Sequence, residues 1–154
     1  MKIWRICREC YAPDAFSGEG ARRFGGCWNS RGVPMVYAST SLALAAIELF
    51  VHLEPNQAPG DLVSIAAELP DGEPTMRWDA AALPEKWWSD ELGPMRELGD
   101  AWIRSRQSLA VRIPSVPIRQ EWNVLVNSLH PRIGEVKHES AQPFVFDARM
   151  FSGR

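Results

Sequence analysis

Apolar residues recur along the chain with two different spacings, which predict both strands and helices. Residues 2–7 alternate enough to predict a first strand, and residues 36–38 predict a second short one. Residues 42–53 are almost wholly apolar and long enough for a helix. The Ser39-Thr40-Ser41 run before them offers candidate N-caps. The pattern therefore predicts a strand, a cap and a helix in immediate succession, with Glu48 on the helix.

The rest of the chain contains short apolar runs bounded by glycine, proline or polar residues. Further strands are predicted at 61–69, 109–113, 123–127 and 143–147. Helices are predicted at 84–92 and 95–106, a loop at 18–26, and a helix break at 55–60. Because strands outnumber helices in an irregular order, we expect an α+β fold with mixed or antiparallel sheets and flanking helices. A length of 154 residues favours a single compact domain over 1–154, frayed in its last few residues.

Glu48 is the one acidic side chain within the predicted apolar helix. At 100° per residue, Ser41, Glu48 and His52 fall in one narrow sector with Ala45 between them. An ionised glutamate is costly to bury without a partner, so we expect it to be paired, exposed at a cleft, or both. A helix edge that touches solvent, or a structural ion pair, is the simpler alternative.

The charge and cysteine content limit the possible partners and compartments. A net charge of −2 and a pI near 5.9 give no reason to expect direct binding to a nucleic-acid backbone or to an anionic membrane. Fourteen of the 17 basic residues are arginines, whose planar fork suits phosphate and carboxylate. Three cysteines, with no signal peptide and no apolar run long enough to span a bilayer, predict a cytoplasmic protein without a disulfide framework.

Several familiar site patterns are incomplete. Cys7 and Cys10 have CxxC spacing, but no second pair of ligands supports zinc, and a position within a predicted strand argues against a redox motif. The glycines of 18–26 match neither GxGxxG nor GxxxxGK[ST]. Ser128 and His130 would point in opposite directions on a strand, and no GxSxG elbow is present. No metal site is predicted.

Longer runs carry a resemblance to a known family. Residues 20–32, residues 36–39 and residues 42–43 followed by Glu48 and His52 resemble, in order and spacing, the RES domain family of bacterial toxins. The resemblance continues over nearly the whole chain, in three further runs at 4–6, 123–131 and 144–149.

This resemblance implies a fold, a substrate and a partner. The family fold is similar to that of ADP-ribosyltransferase toxins, and characterised members consume NAD. The resemblance implies NAD as substrate, with no tightly bound cofactor. It also implies an Xre-like antitoxin whose helix-turn-helix supplies any contact with nucleic acid.

The family takes its name from an arginine, a glutamate and a serine. The matching positions are Glu48, Ser128, and either Arg5 or the Arg22/Arg23 pair. We favour Arg5 as the family arginine. Two phosphates carry two negative charges, so we expect Arg5 and one of the Arg22/Arg23 pair to hold the pyrophosphate of NAD.

Other matching positions define the nicotinamide end of the site. Tyr37 matches a family tyrosine expected to stack near the nicotinamide, and Asn127 and Ser128 are expected to hydrogen-bond the amide or the ribose. Two positions depart from the family pattern. Cys27 stands where a basic residue is common, and Ser128 where relatives often have proline, which leaves open whether Ser128 is the serine of the name.

The chemistry of NAD cleavage suits a carboxylate. The nicotinamide ring is cationic in NAD and leaves as a neutral molecule. Catalysis therefore depends on stabilising the positive charge that develops on the ribose in the transition state. A carboxylate that bonds the ribose hydroxyls and faces this charge stabilises it selectively, which is the role predicted for Glu48. The acceptor is water or phosphate; a protein acceptor, as in a mono-ADP-ribosyltransferase, is the alternative. A third hypothesis is a catalytically inactive binding module, of which Cys27 would be the sign.

Overall fold

The computed structural model describes residues 1–54, 58–72 and 75–151. The predicted helix break at 55–60 lies partly outside the described residues, and the predicted fraying at 152–154 lies wholly outside them. The strands of the described chain are β1 (Lys2–Arg8), β2 (Val36–Ser39), β3 (Leu62–Glu68), β4 (Met76–Arg77), β5 (Ala110–Pro114), β6 (Trp122–Val126), β7 (Lys137–His138) and β8 (Gln142–Pro143). Its α-helices are α1 (Glu19–Phe24), α2 (Leu42–Phe50) and α3 (Gly93–Ser105).

All eight strands belong to one twisted sheet in the order β4-β5-β6-β2-β1-β3-β7, and β8 also pairs with β3. The edge strand β4 is parallel to β5, and the other strand pairs of the described residues are antiparallel. The predicted fold class, α+β with a mixed and largely antiparallel sheet, is confirmed. No helix in the described ranges has the length and apolar character needed to cross a membrane.

The sheet is joined only narrowly at its centre. Strand β1 pairs with β3 at seven positions but with β2 only at Trp4 opposite Ser39. Helix α2 packs against both β1 and β2. This places α2, and Glu48 with it, beside the narrow junction.

Strand register sorts the apolar residues onto two faces. Directly opposed residues of antiparallel strands share a face, so Tyr37 and Leu125 lie on one side while Val36 and Val126 lie on the other. Helix α3 covers the first face with Trp102 and Ile103, in a cluster that includes Leu125. Val36 and Val126 pack in a second cluster with Ile3.

Helix α2 begins as the sequence predicts and ends earlier. Ser41 has an extended backbone, and its side chain accepts a hydrogen bond from Leu44 N at 3.1 Å, so Ser41 is the N-cap. The prediction that the helix runs to residue 53 is wrong: the α-helix ends at Phe50, and His52 lies in a turn. Pro55 disfavours helical backbone in the residue before it, which fits an early end.

Two other element predictions are wrong for local reasons. The predicted loop at 18–26 contains α1, which Gly18 and Gly25 bracket in positive-φ conformations and which Glu19 stabilises through ion pairs one turn along. The predicted helix at 84–92 is a series of turns, because Lys86 adopts φ 58°, which a right-handed helix does not allow.

The predicted strand at 143–147 is also mostly wrong. Only Gln142–Pro143 forms strand β8, after which the chain leaves the sheet. Phe144 and Phe146 instead pack edge to face at 5.0 Å, and Phe146 stacks at a tilt against Phe50 of α2. Aromatic packing under α2 takes precedence over strand pairing in this segment.

Candidate active site

A cleft of about 770 Å³ opens beside the narrow junction of the sheet. It lies among α1, β1, β2 and α2, with the segments around Trp87–Asp90 and Ile113–Pro117 on its other side. This volume falls within the range of small-molecule and cofactor sites in proteins. Its wall is mainly apolar, with Glu48 and Asn123 among the few polar side chains.

Glu48 lies half-buried on the cleft side of α2. Asn123 Nδ2 donates a hydrogen bond to Glu48 Oε1, and Ser39 Oγ donates one to Asn123 Oδ1 at 2.7 Å. Glu48 therefore has a partner and also borders the cleft. No second hydrogen bond or ion pair to Glu48 is found among the described residues.

The register of β2 and β6 explains why this triplet forms. Ser39 and Asn123 lie directly opposite one another in the antiparallel pair, so their side chains share a face. Thr40 ties the β2–α2 connection to the start of β6, because its N and its Oγ1 both donate to Trp122 O. Sequence reasoning missed Asn123 and Ser39. The available signal was a polar residue near one end of each of two otherwise apolar or small-residue strands, Ser39 at the end of β2 and Asn123 near the start of β6.

Tyr37, which is predicted to stack near the nicotinamide, lines the cleft from β2. Its hydroxyl donates to Asn29 Oδ1 at 2.7 Å and accepts from Trp28 N at 2.9 Å. Burial raises the pKa of Tyr37 well above its ordinary value. Because a Cβ at Gly26 would overlap the tyrosine hydroxyl, this position requires glycine.

Arg5 lies on β1 at the cleft. Its Nη1 donates to Tyr37 O at 3.1 Å, and its Nε is buried without a partner. Burial lowers the pKa of Arg5, and the nearby Cys7 opposes this effect. Arg5 therefore connects β1 to β2 where the two strands scarcely pair.

The Arg22/Arg23 pair lies on the exposed side of α1. Arg22 Nε and Arg23 Nε contact Glu19 at 2.7 and 2.8 Å, and these hydrogen bonds lower the pKa of Glu19 to about 2. Neither arginine lines the cleft, whereas Phe24 of the same helix does. The structure places both outside the site that holds Glu48.

Asn127 and Ser128 also lie away from the cleft lining. Asn127 is fully buried; its Nδ2 donates to Ile103 O and its Oδ1 accepts from Leu129 N. The hydroxyl of Ser128 is buried without a partner and sits against Gly18. The structure therefore brings together Glu48, Tyr37 and Arg5, but not Asn127 and Ser128.

Cys27 lies on the cleft wall near a cation that the sequence did not indicate. Burial raises the pKa of the Cys27 thiol, Glu48 and Asp90 raise it further, and Arg96 lowers it. Arg96 reaches this position from α3, where its Nε donates to Gly26 O at 2.8 Å. Cys7, Cys10 and Cys27 are free thiols, and no group of three or more metal-ligating side chains occurs in the described ranges.

Sequence comparison connects this chain to a family. The RES domain family matches residues 2–147. A protein of Sphingobium sp. named "Prs ADP-ribosylating toxin" is 34% identical over 154 residues, which cover 96% of this chain and 95% of that protein. A protein of Pseudomonas putida named "Toxin Res" is 34% identical over 155 residues, covering 98% of this chain and all of the relative.

A solved structure shares the fold. The M. tuberculosis MbcT-MbcA toxin-antitoxin complex contains a chain that superposes with a TM-score of 0.73 at 19% identity, over 93% of this chain and 83% of that one. With the family match over 2–147 and the similarity of whole chains, the protein belongs to the RES domain family.

Proposed function

We propose that this protein is the toxin of a bacterial toxin-antitoxin system and that it degrades NAD by cleaving the bond between nicotinamide and ribose. The family match and the toxin names of its relatives support the first part. A cleft of suitable size with a carboxylate on its wall supports the second. Water or inorganic phosphate is the acceptor, and NAD is a substrate and not a resident cofactor.

The observation that carries this proposal is the position of Glu48. One carboxylate oxygen accepts from Asn123, and the side chain borders the cleft. A carboxylate held in this way bonds the ribose hydroxyls and faces the positive charge that develops on the ribose carbon. Because nicotinamide leaves as a neutral ring, the reaction needs no proton donor at the leaving group.

The other site residues are assigned to binding. Tyr37 offers a ring face to the nicotinamide, and Arg5 offers guanidinium nitrogens to the pyrophosphate. A contact from Arg22 or Arg23 requires that arginine to leave Glu19. This exchange costs little, because solvent screens exposed ion pairs and they contribute little to stability.

We further propose that a cognate antitoxin restrains the protein by covering this cleft. The structural neighbour belongs to a toxin-antitoxin complex, which supports a partner of this kind. The antitoxin is expected to be Xre-like, with a helix-turn-helix through which any DNA contact is made. The net charge of −2 on this chain fits a complex in which the antitoxin, and not this chain, contacts DNA. NAD as substrate points to action in the cytoplasm.

Transfer of ADP-ribose to a protein is the second candidate function. It keeps the same site and changes only the acceptor. The name of the Sphingobium relative, "Prs ADP-ribosylating toxin", favours it.

Incubation of the purified protein with NAD labelled in its ADP-ribose half tests both candidates. We expect free ADP-ribose, or its phosphate when inorganic phosphate is added. Label on a protein added from a bacterial extract would instead support the second candidate. Unchanged NAD would contradict both and favour an inactive binding module.

Glu48→Gln tests the role of the carboxylate. Loss of a preorganised electrostatic group lowers the rate by on the order of a hundredfold or more, so we expect almost no NAD turnover. Glu54→Gln, which changes an exposed glutamate just after α2, is the matched control and should retain wild-type turnover and folding. Wild-type turnover by Glu48→Gln would exclude the proposed mechanism.

A further inference from the structure

We infer that Asn123, itself oriented by Ser39, is the positioning residue that fixes the carboxylate of Glu48 for catalysis. This inference rests on the proposed function, because it assigns a role within that same site. The contact joins two residues 75 positions apart in the chain, so it depends on the fold and not on local sequence.

The orientation of the Asn123 amide follows from its two neighbours. A carboxylate only accepts hydrogen bonds, so the side of the amide that faces Glu48 must be the Nδ2 group. The reversed amide would place Oδ1 against a carboxylate oxygen, which is repulsive. Oδ1 therefore faces Ser39, whose hydroxyl donates to it at 2.7 Å. The three side chains form one directed series of donors that ends at Glu48.

This series restricts an otherwise flexible side chain. A free glutamate loses side-chain conformational entropy when it is fixed. Here Oε1 is already held by Asn123, whereas Oε2 has no partner among the described residues. The carboxylate therefore presents one unoccupied oxygen to a substrate before the substrate arrives, and less of the binding energy is spent on ordering it.

The supports of Asn123 are rigid. Ser39 is 3% exposed and is the direct cross-strand partner of Asn123, and Trp122 is held by both donors of Thr40. Such a site on paired strands holds its geometry better than one on a loop. A shift of about 1 Å in a catalytic group costs on the order of a hundredfold in rate, so a residue of this kind affects catalysis without contacting substrate.

Steady-state NAD cleavage by Asn123→Ala and Ser39→Ala tests the inference. We expect Asn123→Ala to lower kcat by about 10- to 100-fold while KM changes less than about threefold, because substrate still binds but the carboxylate is no longer held. Ser39→Ala, which removes only the orienting hydroxyl, should give a smaller decrease in kcat. Ser108→Ala is the structural control: it removes a buried hydroxyl that bonds Trp102 Nε1 and Ala110 O away from the cleft, and it should lower the melting temperature but keep wild-type kcat.

A double-variant cycle separates positioning from general destabilisation. If Asn123 acts through Glu48, adding Asn123→Ala to Glu48→Gln should lower the residual rate no further. An equal loss in both backgrounds, or a kcat for Asn123→Ala within threefold of wild type, would overturn the inference.

A crystal structure of Asn123→Ala gives a readout that does not depend on turnover. We expect the Glu48 side chain in a different rotamer or in several conformers, and an unchanged Glu48 conformation would refute the inference. Failure of the proposed function has a different signature, in which wild-type protein leaves NAD unchanged although Glu48 still moves in Asn123→Ala.

Discussion

Tyr37 shows how one residue serves both the cleft and the packing beneath it. Its ring borders the cleft, while its hydroxyl bonds Trp28 N and Asn29 Oδ1. Asn29 is itself fully buried and donates through Nδ2 to the carbonyls of Ala21 and Val33, each at 2.8 Å. The tyrosine hydroxyl thus belongs to a network that holds the segment between α1 and β2.

Tyr37→Phe should therefore affect stability more than substrate binding. The variant keeps the ring but leaves Trp28 N and Asn29 Oδ1 without their partner, at a cost of about 1–3 kcal/mol in unfolding free energy. Urea denaturation measures this cost. Tyr11→Phe, at a tyrosine that is 61% exposed, is the control and should change stability by less than about 0.5 kcal/mol. Equal stability of the two variants would show that the hydroxyl network contributes nothing.

Individual residues differed in how well the sequence identified them. Glu48 stood out because a carboxylate interrupts an apolar helix, and its position at the cleft follows from that helix. Asn123 and Ser39 carry no such signal, because only the β2–β6 register brings them to Glu48. Arg96 was missed for the same reason: its contact with Gly26 spans 70 residues.

At the scale of elements, α3 packs unusually close to the segment before β2. The side of α3 at Gly99 lies against the carbonyl of Trp28, and a Cβ at this glycine would overlap the carbonyl oxygen. Asp100 Oδ1 accepts from Ser30 N at 2.9 Å in the same contact. The close approach is therefore fixed by the hydrogen bond from the Ser30 backbone N–H to the Asp100 carboxylate as well as by packing.

Gly99→Ala tests this close approach, because the gain in helix propensity and the steric overlap with Trp28 have opposite effects on stability. In a helix interior the change from glycine to alanine normally stabilises by up to about 1 kcal/mol. Here the overlap with a backbone carbonyl should reverse the sign and destabilise the protein by about 1–3 kcal/mol. Thermal or urea unfolding measures the difference.

Gly93→Ala is the matched control in the first turn of α3. Apart from its chain neighbours, a Cβ at Gly93 meets no atom within 4 Å, so this variant lacks the overlap and should be clearly more stable than Gly99→Ala. If Gly99→Ala were as stable as Gly93→Ala, α3 would have to lie farther from Trp28 than the structure places it.

Elements were predictable where side-chain periodicity decided them. Strands β1, β2, β3, β5 and β6 and helices α2 and α3 lie where apolar spacing predicts them, within a few residues. The wrong predictions at 18–26 and 84–92 have their cause in backbone conformation. The glycines around α1 and the positive φ of Lys86 leave no periodic pattern in the sequence. The short edge strand β4 was missed, because two residues are too few for any pattern.

Over the whole molecule, the sheet behaves as two parts that meet at β1 and β2. Strands β4, β5, β6 and β2 form one part, and β1, β3, β7 and β8 form the other. The parts share one residue pair, Trp4 with Ser39, and the hydrogen bond from Arg5 to Tyr37 O. The cleft lies at this junction, so the arrangement that opens a binding site also weakens the sheet there.

Arg5→Gln should loosen this junction. A glutamine is too short to replace the guanidinium, so Tyr37 O loses its side-chain donor, at a cost of about 1–3 kcal/mol. Burial lowers the pKa of Arg5, which means that the buried cation itself is costly, and a neutral side chain relieves part of this cost. We therefore expect a net loss of about 1 kcal/mol, together with faster hydrogen exchange of β2 amides than of β3 amides.

Arg112→Gln is the control for Arg5→Gln, because it removes a similar half-buried arginine from another strand. Arg112 is also half-buried and also has a buried Nε without a partner, but it lies on β5, which β6 separates from the junction of β2 with β1. Arg112→Gln should leave the rate of amide hydrogen exchange in β2 unchanged. If both variants had the same effect, the junction would not depend on Arg5. If Arg5→Gln weakened NAD binding without faster exchange, Arg5 would act by direct contact with phosphate and not through the sheet.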